Sequence, residues 1–335
     1  MAQILHNKRR ILYAMLETTP GTYVGDAALF VAANAQLLQA TDIKFSPTVQ
    51  SVERAPDGIS LQPIAAVKGA GAGKVTFGSR VYSSGAAGTA PSYSALLKGA
   101  YFSETVVAST SVTYVKSPNS QSFLSMGVGI LQEDGTVEIQ WAMSGVRGNV
   151  VFKADKIGSP MLADWTFDGK LAVTGTTVSP SPVKSPMTAL TFADEVANIV
   201  KYWQFSSATG IFAQQVSKID LDAGSAVELT TDTADPSGYG YAVLTKDAPT
   251  LKVDPAKTPK TIYDHVSTLM AGTTFYSSVT LGATAGKKLK ITLPNCQLSG
   301  LGDAARGVTS TWDGSIDLFR TATGTASDAV TLAFT

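Results

Sequence analysis

The chain has 335 residues, with 26 basic and 26 acidic side chains and a single cysteine. Zero formal net charge argues against a cationic nucleic-acid binder that draws its affinity from neutralising phosphates, and the lone Cys296 excludes an intrachain disulfide. No run approaches the roughly 18 apolar residues of a membrane-spanning helix, and the opening MAQILHNKRRILYAML lacks the unbroken apolar core of a signal sequence. Synthesis and folding in the cytoplasm without a membrane anchor is therefore expected. Few charges and abundant Gly, Ala, Ser and Thr fit a β-rich chain with many turns. At roughly 150 residues per domain, the length allows two domains.

In chain order, Lys8-Arg9-Arg10 forms a basic knot before the apolar run Ile11–Leu16, and Thr18-Thr19-Pro20-Gly21 forces a turn. The knot reads as a solvated lead-in or as an arm that docks on a neighbouring subunit. Strand signals resume at Asp42-Ile43-Lys44-Phe45. The stretch from Pro47 to Lys74, with its prolines and Gly69-Ala70-Gly71-Ala72-Gly73, reads as a long polar-tipped loop carrying Glu53, Arg54, Asp57 and Lys68. A strand over 75–82 follows, then a short helix in Pro91–Gly99, with proline at its start and glycine at its stop. Strands are expected over 111–116 and 122–131, and a hairpin turn at Glu133-Asp134-Gly135.

Three strands then follow: Val137–Trp141, Gly148–Lys153 after a Gly-bracketed corner, and Leu162–Val173 with Trp165 and Phe167 on one face. Alternation of period two is what a half-buried strand requires, because successive side chains leave opposite faces. Residues 175–188, GTTVSPSPVKSPMT, have no apolar period and read as a linker.

The second half repeats this plan. Lys218–Leu221 through Val227-Glu228 echoes Asp42–Phe45 through Val52-Glu53, and Thr261–Gly272 echoes the first helix. Phe275–Ile291 echoes Phe123–Ile139 at the same internal spacing, and Trp312 echoes Trp165. The counterpart of the long loop is shorter, about 230–249. The fold expected is all-β with minor α: two tandem β-sandwich or barrel domains, each flanked by one short helix. The first spans 1–175, a Pro/Ser linker 176–188, and the second 189–335.

Chemistry is sparse. His6 and His265 stand far from any evident nucleophile, so neither a Ser–His–Asp nor a Cys–His arrangement is indicated, and His265 reads as a helix–sheet contact. Cys296 reads as a small apolar side chain in a strand. The glycine run before Lys74 departs from the phosphate-loop pattern, since Lys68 stands where its first glycine belongs and Val75 follows Lys74. Asp220, Asp222, Asp232 and Asp235 lack the glycine and terminal Glu of a calcium loop. No zinc pattern exists, and Trp141, Trp165, Trp203 and Trp312 read as core anchors. No catalytic residue, cofactor or metal is expected, and the protein is not expected to be an enzyme.

Several segments carry a resemblance: Lys8-Arg9-Arg10-Ile11-Leu12-Tyr13-Ala14 with Glu17–Thr22, Val52-Glu53-Arg54, Ala90–Gly99, and Gly145-Val146-Arg147-Gly148 through Phe167-Asp168-Gly169. In order and spacing these resemble the two-domain major tail tube proteins of long-tailed bacteriophages. Asp168 departs from the hydroxyl residue common in that family. The resemblance implies β-domains that associate side by side into rings, which stack into the virion's tail tube for double-stranded DNA. It implies homotrimeric rings of pseudo-sixfold symmetry, with DNA passing without specific binding, and contacts with tape measure, terminator and distal tail proteins. It implies no membrane partner, and assembly in the host cytoplasm. Lys8, Arg9, Arg10, Glu53, Arg54, Asp57 and Lys68 are the candidate inter-ring or inter-subunit contacts. The rival readings are another virion part (terminator, baseplate hub or decoration protein) and a two-domain carbohydrate-binding β-sandwich.

Overall fold

The computed structural model describes residues 10–31, 36–38, 40–54, 64–120, 122–131, 137–155, 160–174, 203–207, 210–214, 216–282, 284–321 and 328–335. The protein is all-β with minor α. The first half holds β1 (Arg10–Leu16), β2 (Gln36–Leu38), β3 (Ala40–Arg54), β4 (Ile64–Arg80), α1 (Ser94–Gly99), β5 (Phe102–Val107), β6 (Ser111–Lys116), β7 (Leu124–Leu131), β8 (Val137–Ala154) and β9 (Leu162–Thr174). The second holds β10 (Trp203–Ser207), β11 (Gly210–Gln214), β12 (Ile219–Asp222), β13 (Ser225–Thr231), β14 (Tyr239–Asp247), β15 (Thr250–Val253), α2 (His265–Ala271), β16 (Thr274–Leu281), β17 (Leu289–Arg306), β18 (Thr309–Leu318) and β19 (Thr331–Phe334).

The duplication read from the sequence is present in the pairing. The first half runs β2-β1-β7-β8-β9-β4-β3. The second runs β11-β10-β16-β17-β18-β15-β12, strand for strand in the same order and all antiparallel. The β5–β6 hairpin has no counterpart: between α2 and β16 stand only Gly272 and Thr273. β19 closes the second half by pairing with β17 on one edge and β6 on the other.

Four expectations change. The Gly-bracketed corner does not separate two strands, because β8 runs through it. Gly145, at φ 61°, takes up an extra residue as a bulge between Ser144 and Arg147. The expected long loop of residues 47–74 is the outer part of the β3–β4 hairpin, residues 55–63 lying outside the described ones. Its glycines sit in strand because neighbours press on them: a Cβ on Gly73 would lie 2.5 Å from Met143 Sδ, and one on Gly71 3.2 Å from Leu171 Cδ1. The shorter counterpart loop is likewise a hairpin, β13–β14. Strand β5 was not expected. The Glu133-Asp134-Gly135 turn and the 175–188 linker lie outside the described residues.

The helices form as their ends dictate. Asp264 caps α2, its side chain accepting from Ser267 N, and Gly272 stops it at φ 60°. His265 is buried against Tyr263 and Trp312, and burial lowers its pKa to about 4. Cys296 is buried in β17, its thiol pushed up to about 12 by burial. Among the described residues no helix is long and apolar enough to cross a membrane.

One apolar cluster draws on both halves, from Leu12 and Trp165 to Leu251, Ile316 and Phe334. Trp165 lies at its centre, 1% exposed, its indole donating to Ser79 Oγ at 2.8 Å and its ring packed on Phe77, Phe152 and Phe167. Trp141 and Trp312 are only half-buried, the first stacked on Phe45, and the side chain of Trp203 lies outside the described residues. Trp165→Ala should cost about 3–5 kcal/mol through the cavity it leaves and orphan the Ser79 hydroxyl. Urea unfolding should show a large fall in midpoint, and a change below about 1 kcal/mol would show that this cluster is not the core.

Candidate assembly interface

The two copies are joined by strand pairing. The far end of β8 pairs with β9 on one edge and with β12 of the second copy on the other, in the register Val151↔Asp222, Phe152↔Leu221, Lys153↔Asp220 and Ala154↔Ile219. Ala223 N continues the ladder to Val150 O at 2.9 Å, and Asn149 Nδ2 donates to Asp222 Oδ1 at 2.7 Å. The result is one continuous antiparallel sheet of eight strands, β3-β4-β9-β8-β12-β15-β18-β17.

Its two outermost strands are the counterparts of the two that join in the middle. β3 corresponds to β12, and among the described residues its only ladder is with β4. β17 corresponds to β8, and its far end, Ser299–Arg306, has β18 on one edge and no strand on the other among the described residues. Among the described residues strands β2, β5 and β11 also have a partner on one edge alone, but no internal joint supplies them with a complement. A groove of about 750 Å³ follows the β3 edge, lined by Arg10 and residues 40–46. Arg10 Nη1 donates to Ile43 O at 2.6 Å, so a cation lies across part of this edge, a device that hinders indiscriminate pairing. A second, shallower groove lies at the β17–β18 tip, where Val308 is fully exposed.

The solvent face of this sheet is a lattice of opposite charges. Alternation places Val75, Phe77, Val150, Phe152, Trp165, Leu221, Leu251 and Ile316 inward. Outward on the same strands stand Lys44, Lys74, Arg80, Lys153 and Lys252, interleaved with Asp164, Asp168, Asp220, Asp222 and Asp317. Lys153 reaches Asp164 at 2.6 Å, and Lys74 lies 3.9 Å from Asp168. Such pairs add little stability, but they leave the face close to neutral. The four aspartates weighed for calcium are engaged within the chain: Asp222 takes Asn149 and Gly224 N, and Asp220 pairs with Lys218. Asp235 takes Lys170 and Ser237, and Asp232 takes Ala234 N.

The β13–β14 hairpin of the second copy lies over β8 and β9 of the first. It is fastened at several points. Lys170 and Asp235 meet at 2.5 Å, and the Tyr241 ring stands edge-on to Phe123, whose other neighbour is the Arg147 guanidinium at 3.8 Å. Tyr241 crosses Gly145 so closely that a Cβ there would lie 2.9 Å from Tyr241 Cα. Lys116, wholly buried, donates to Ala100 O and Ser225 Oγ and lies 3.5 Å from Asp247. Burial draws the Lys116 pKa down to about 8 against the pull of Asp247.

Beneath this hairpin, Glu17 gathers three donors: Gly21 N and Gly145 N, each at 2.7 Å, and Ser125 Oγ at 2.9 Å. Burial outweighs those hydrogen bonds and raises its pKa to about 7. For Asp235, burial is outweighed by Lys170 and Ser237, which hold it down to about 2.

Of the residues singled out from sequence, Arg10 lies on the β3 edge. Glu53, Arg54 and Lys68 fall on the β3–β4 hairpin with their side chains outside the described residues. Lys8, Arg9 and Asp57 lie outside the described residues altogether. Sequence reasoning missed Lys116, although alternation in Val112, Tyr114 and Lys116 already aims it inward.

A carboxyl whose folded pKa exceeds its unfolded value favours folding when protonated, so stability is lost as pH rises from about 4.5 through 7. The wild type should lose on the order of 3 kcal/mol across that range from Glu17. Glu17→Gln should lower stability at pH 5, because its amide NH₂ faces donors, yet remove most of that slope. Urea midpoints at pH 5 and pH 8 test this, and an unchanged slope in the variant would exclude Glu17 as its source. Comparison with protein-family models and with curated proteins gave no match for this chain.

Proposed function

We propose that the protein is a structural subunit that closes into rings around a channel, and that stacked rings form the tail tube of a long-tailed bacteriophage. The observation that carries this reading is the pair of open edges. The β8–β12 joint is a worked example, within one chain, of how a first copy receives a second. Repeating it between chains places the β3 edge of one subunit against the far end of β17 in the next. Such a contact is head-to-tail and must either close or run on as a filament.

Strand spacing favours three chains over two. Strands about 4.8 Å apart and tilted about 40° from the barrel axis take up ~150 Å of circumference for three chains of eight strands, a backbone diameter of ~48 Å. Two chains would give about 32 Å, leaving little room for a hydrated duplex once side chains line the wall. Three chains carrying two copies each make a pseudo-sixfold ring. The Lys/Asp lattice then faces the channel, and paired charges offer a passing polyanion no unneutralised cation track on which to release counterions. The ring is the machine; no bond is made or broken.

Negative-stain microscopy of the purified full-length protein at rising concentration should show hollow filaments or rings, and native mass spectrometry should give three chains per ring. A short thiol crosslinker should join a chain carrying Thr48→Cys to a separate chain carrying Ala304→Cys, the counterparts of the paired Asp222 and Val151. A protein that stays monomeric at high concentration would sink the proposal.

A further inference from the structure

Within one chain the second copy holds the first in two ways: the β12 edge pairs with β8, and the β13–β14 hairpin reaches over β8 and β9. Under that hairpin, Ser144, Arg147 and Lys170 of the first copy are buried at 1%, 5% and 9% exposure. The matching surface of the second copy carries no such hairpin among the described residues. Its bulge on β17 falls between Leu298 and Gly300, as that of β8 falls between Ser144 and Arg147, and the residue bulged out, Ser299, is exposed. Ser299 there donates to Asp317 across the strand pair, and Gly302 and Asp303, the latter paired with Lys257, are exposed beside it.

The counterpart of the β13–β14 hairpin is the outer part of the β3–β4 hairpin. In sheet order, β12 and β13 together match β3, and β14 and β15 together match β4. Residues Ser46 to Ser51 of this arm are exposed, including Val49 at 44%. At the position corresponding to Val49, Ala223 is 1% exposed, and two residues on, Ser225 is 6% exposed and receives Lys116. Among the described residues, a single chain therefore carries an arm whose residues 46–51 are exposed and a surface with no arm upon it.

We infer that the β3–β4 arm of one subunit clasps the β17–β18 surface around Ser299 of the neighbouring subunit in the same ring, as β13–β14 clasps β8–β9 within a chain. This rests on the ring reading and adds a second, separable contact to it. The occupant is a second copy of this chain, because the arm and the surface around Ser299 are the two halves of a contact the chain already makes with itself. The clasp lies on the same boundary as the β3–β17 joint, so the two contacts form one continuous interface. It assigns the arm to contacts around the ring. The arm's neighbours in its own chain, Tyr239 beside Gln50 and Ser237 O accepting from Gly71 N, brace its root.

The test uses the full chain with Cys296→Ala as background and native mass spectrometry as the measure of ring formation. In the Ser299→Cys variant, alkylation of the new thiol should slow at least tenfold in trimers relative to monomers. Mixing Val49→Cys chains with Ser299→Cys chains should yield crosslinked heterodimers with a short bismaleimide. Trimers in which Cys at 299 reacts as fast as in the monomer, or in which the mixed crosslink is absent, would overturn the clasp while leaving the ring intact. Absence of trimers would overturn the ring and the clasp together.

Discussion

A strand with one edge open carries backbone N–H and C=O groups that water satisfies only until something better arrives. Everything in this chain is arranged around that constraint. Two copies of one strand plan stand in tandem, and where they meet, the edge of one is satisfied by the edge of the other: β8 by β12, with Asn149 and Asp222 locking the register. A linear tandem always leaves one of each edge over. Here these are the outer edge of β3 and the far end of β17, and each backbone hydrogen bond made there would contribute about 0.5–1.5 kcal/mol net. Cooperation along a whole edge, not any single contact, makes such a joint firm. The Arg10 guanidinium across Ile43 O shows how the same edge is kept from pairing indiscriminately before its partner arrives.

The interior supports this arrangement by being stiff. Aromatic side chains of the first copy pack around Trp165, and Phe334 from the last strand reaches Tyr93 and Tyr114. The chain's final strand thus holds both copies to a single core. Buried cations contribute where the copies touch. Lys116 and Arg147 are costly to desolvate, and each is satisfied by carbonyls and ring faces. Lys116 meets the β13–β14 hairpin directly at Ser225 and Asp247, and Arg147 meets it through the Phe123 ring that Tyr241 packs against.

Much of the fold was legible because it is local. The matched spacing of Phe123–Ile139 and Phe275–Ile291 marks paired strands in both halves, Ser111–Lys116 was read to its observed ends, and Gly272 announced the end of α2. What escaped was set by distant neighbours. Gly71 and Gly73 look like loop residues, yet they are glycines because Leu171 and Met143 occupy the space a side chain would need. Pro47 reads as a breaker but is tolerated because β3 is an edge strand. Gly145 signalled a corner, and only the register against β9 shows that the strand continues past it. The joint between copies could not be read at all, since nothing in Val151–Ala154 names Ile219–Asp222 as its partner. The proposed assembly surface therefore rests on topology, and of the basic and acidic residues chosen from sequence Arg10 is the one whose side chain is seen against it, at Ile43 O.

The most direct measurement is hydrogen–deuterium exchange of the amides of residues 44–49 in β3 and 302–306 in β17, followed as concentration drives the protein from single chains to particles. The account predicts that both segments slow together and at the same concentration, while Val151–Ala154 and Ile219–Asp222 are slow throughout. Particles that form with either outer edge still exchanging as fast as in the single chain would contradict it.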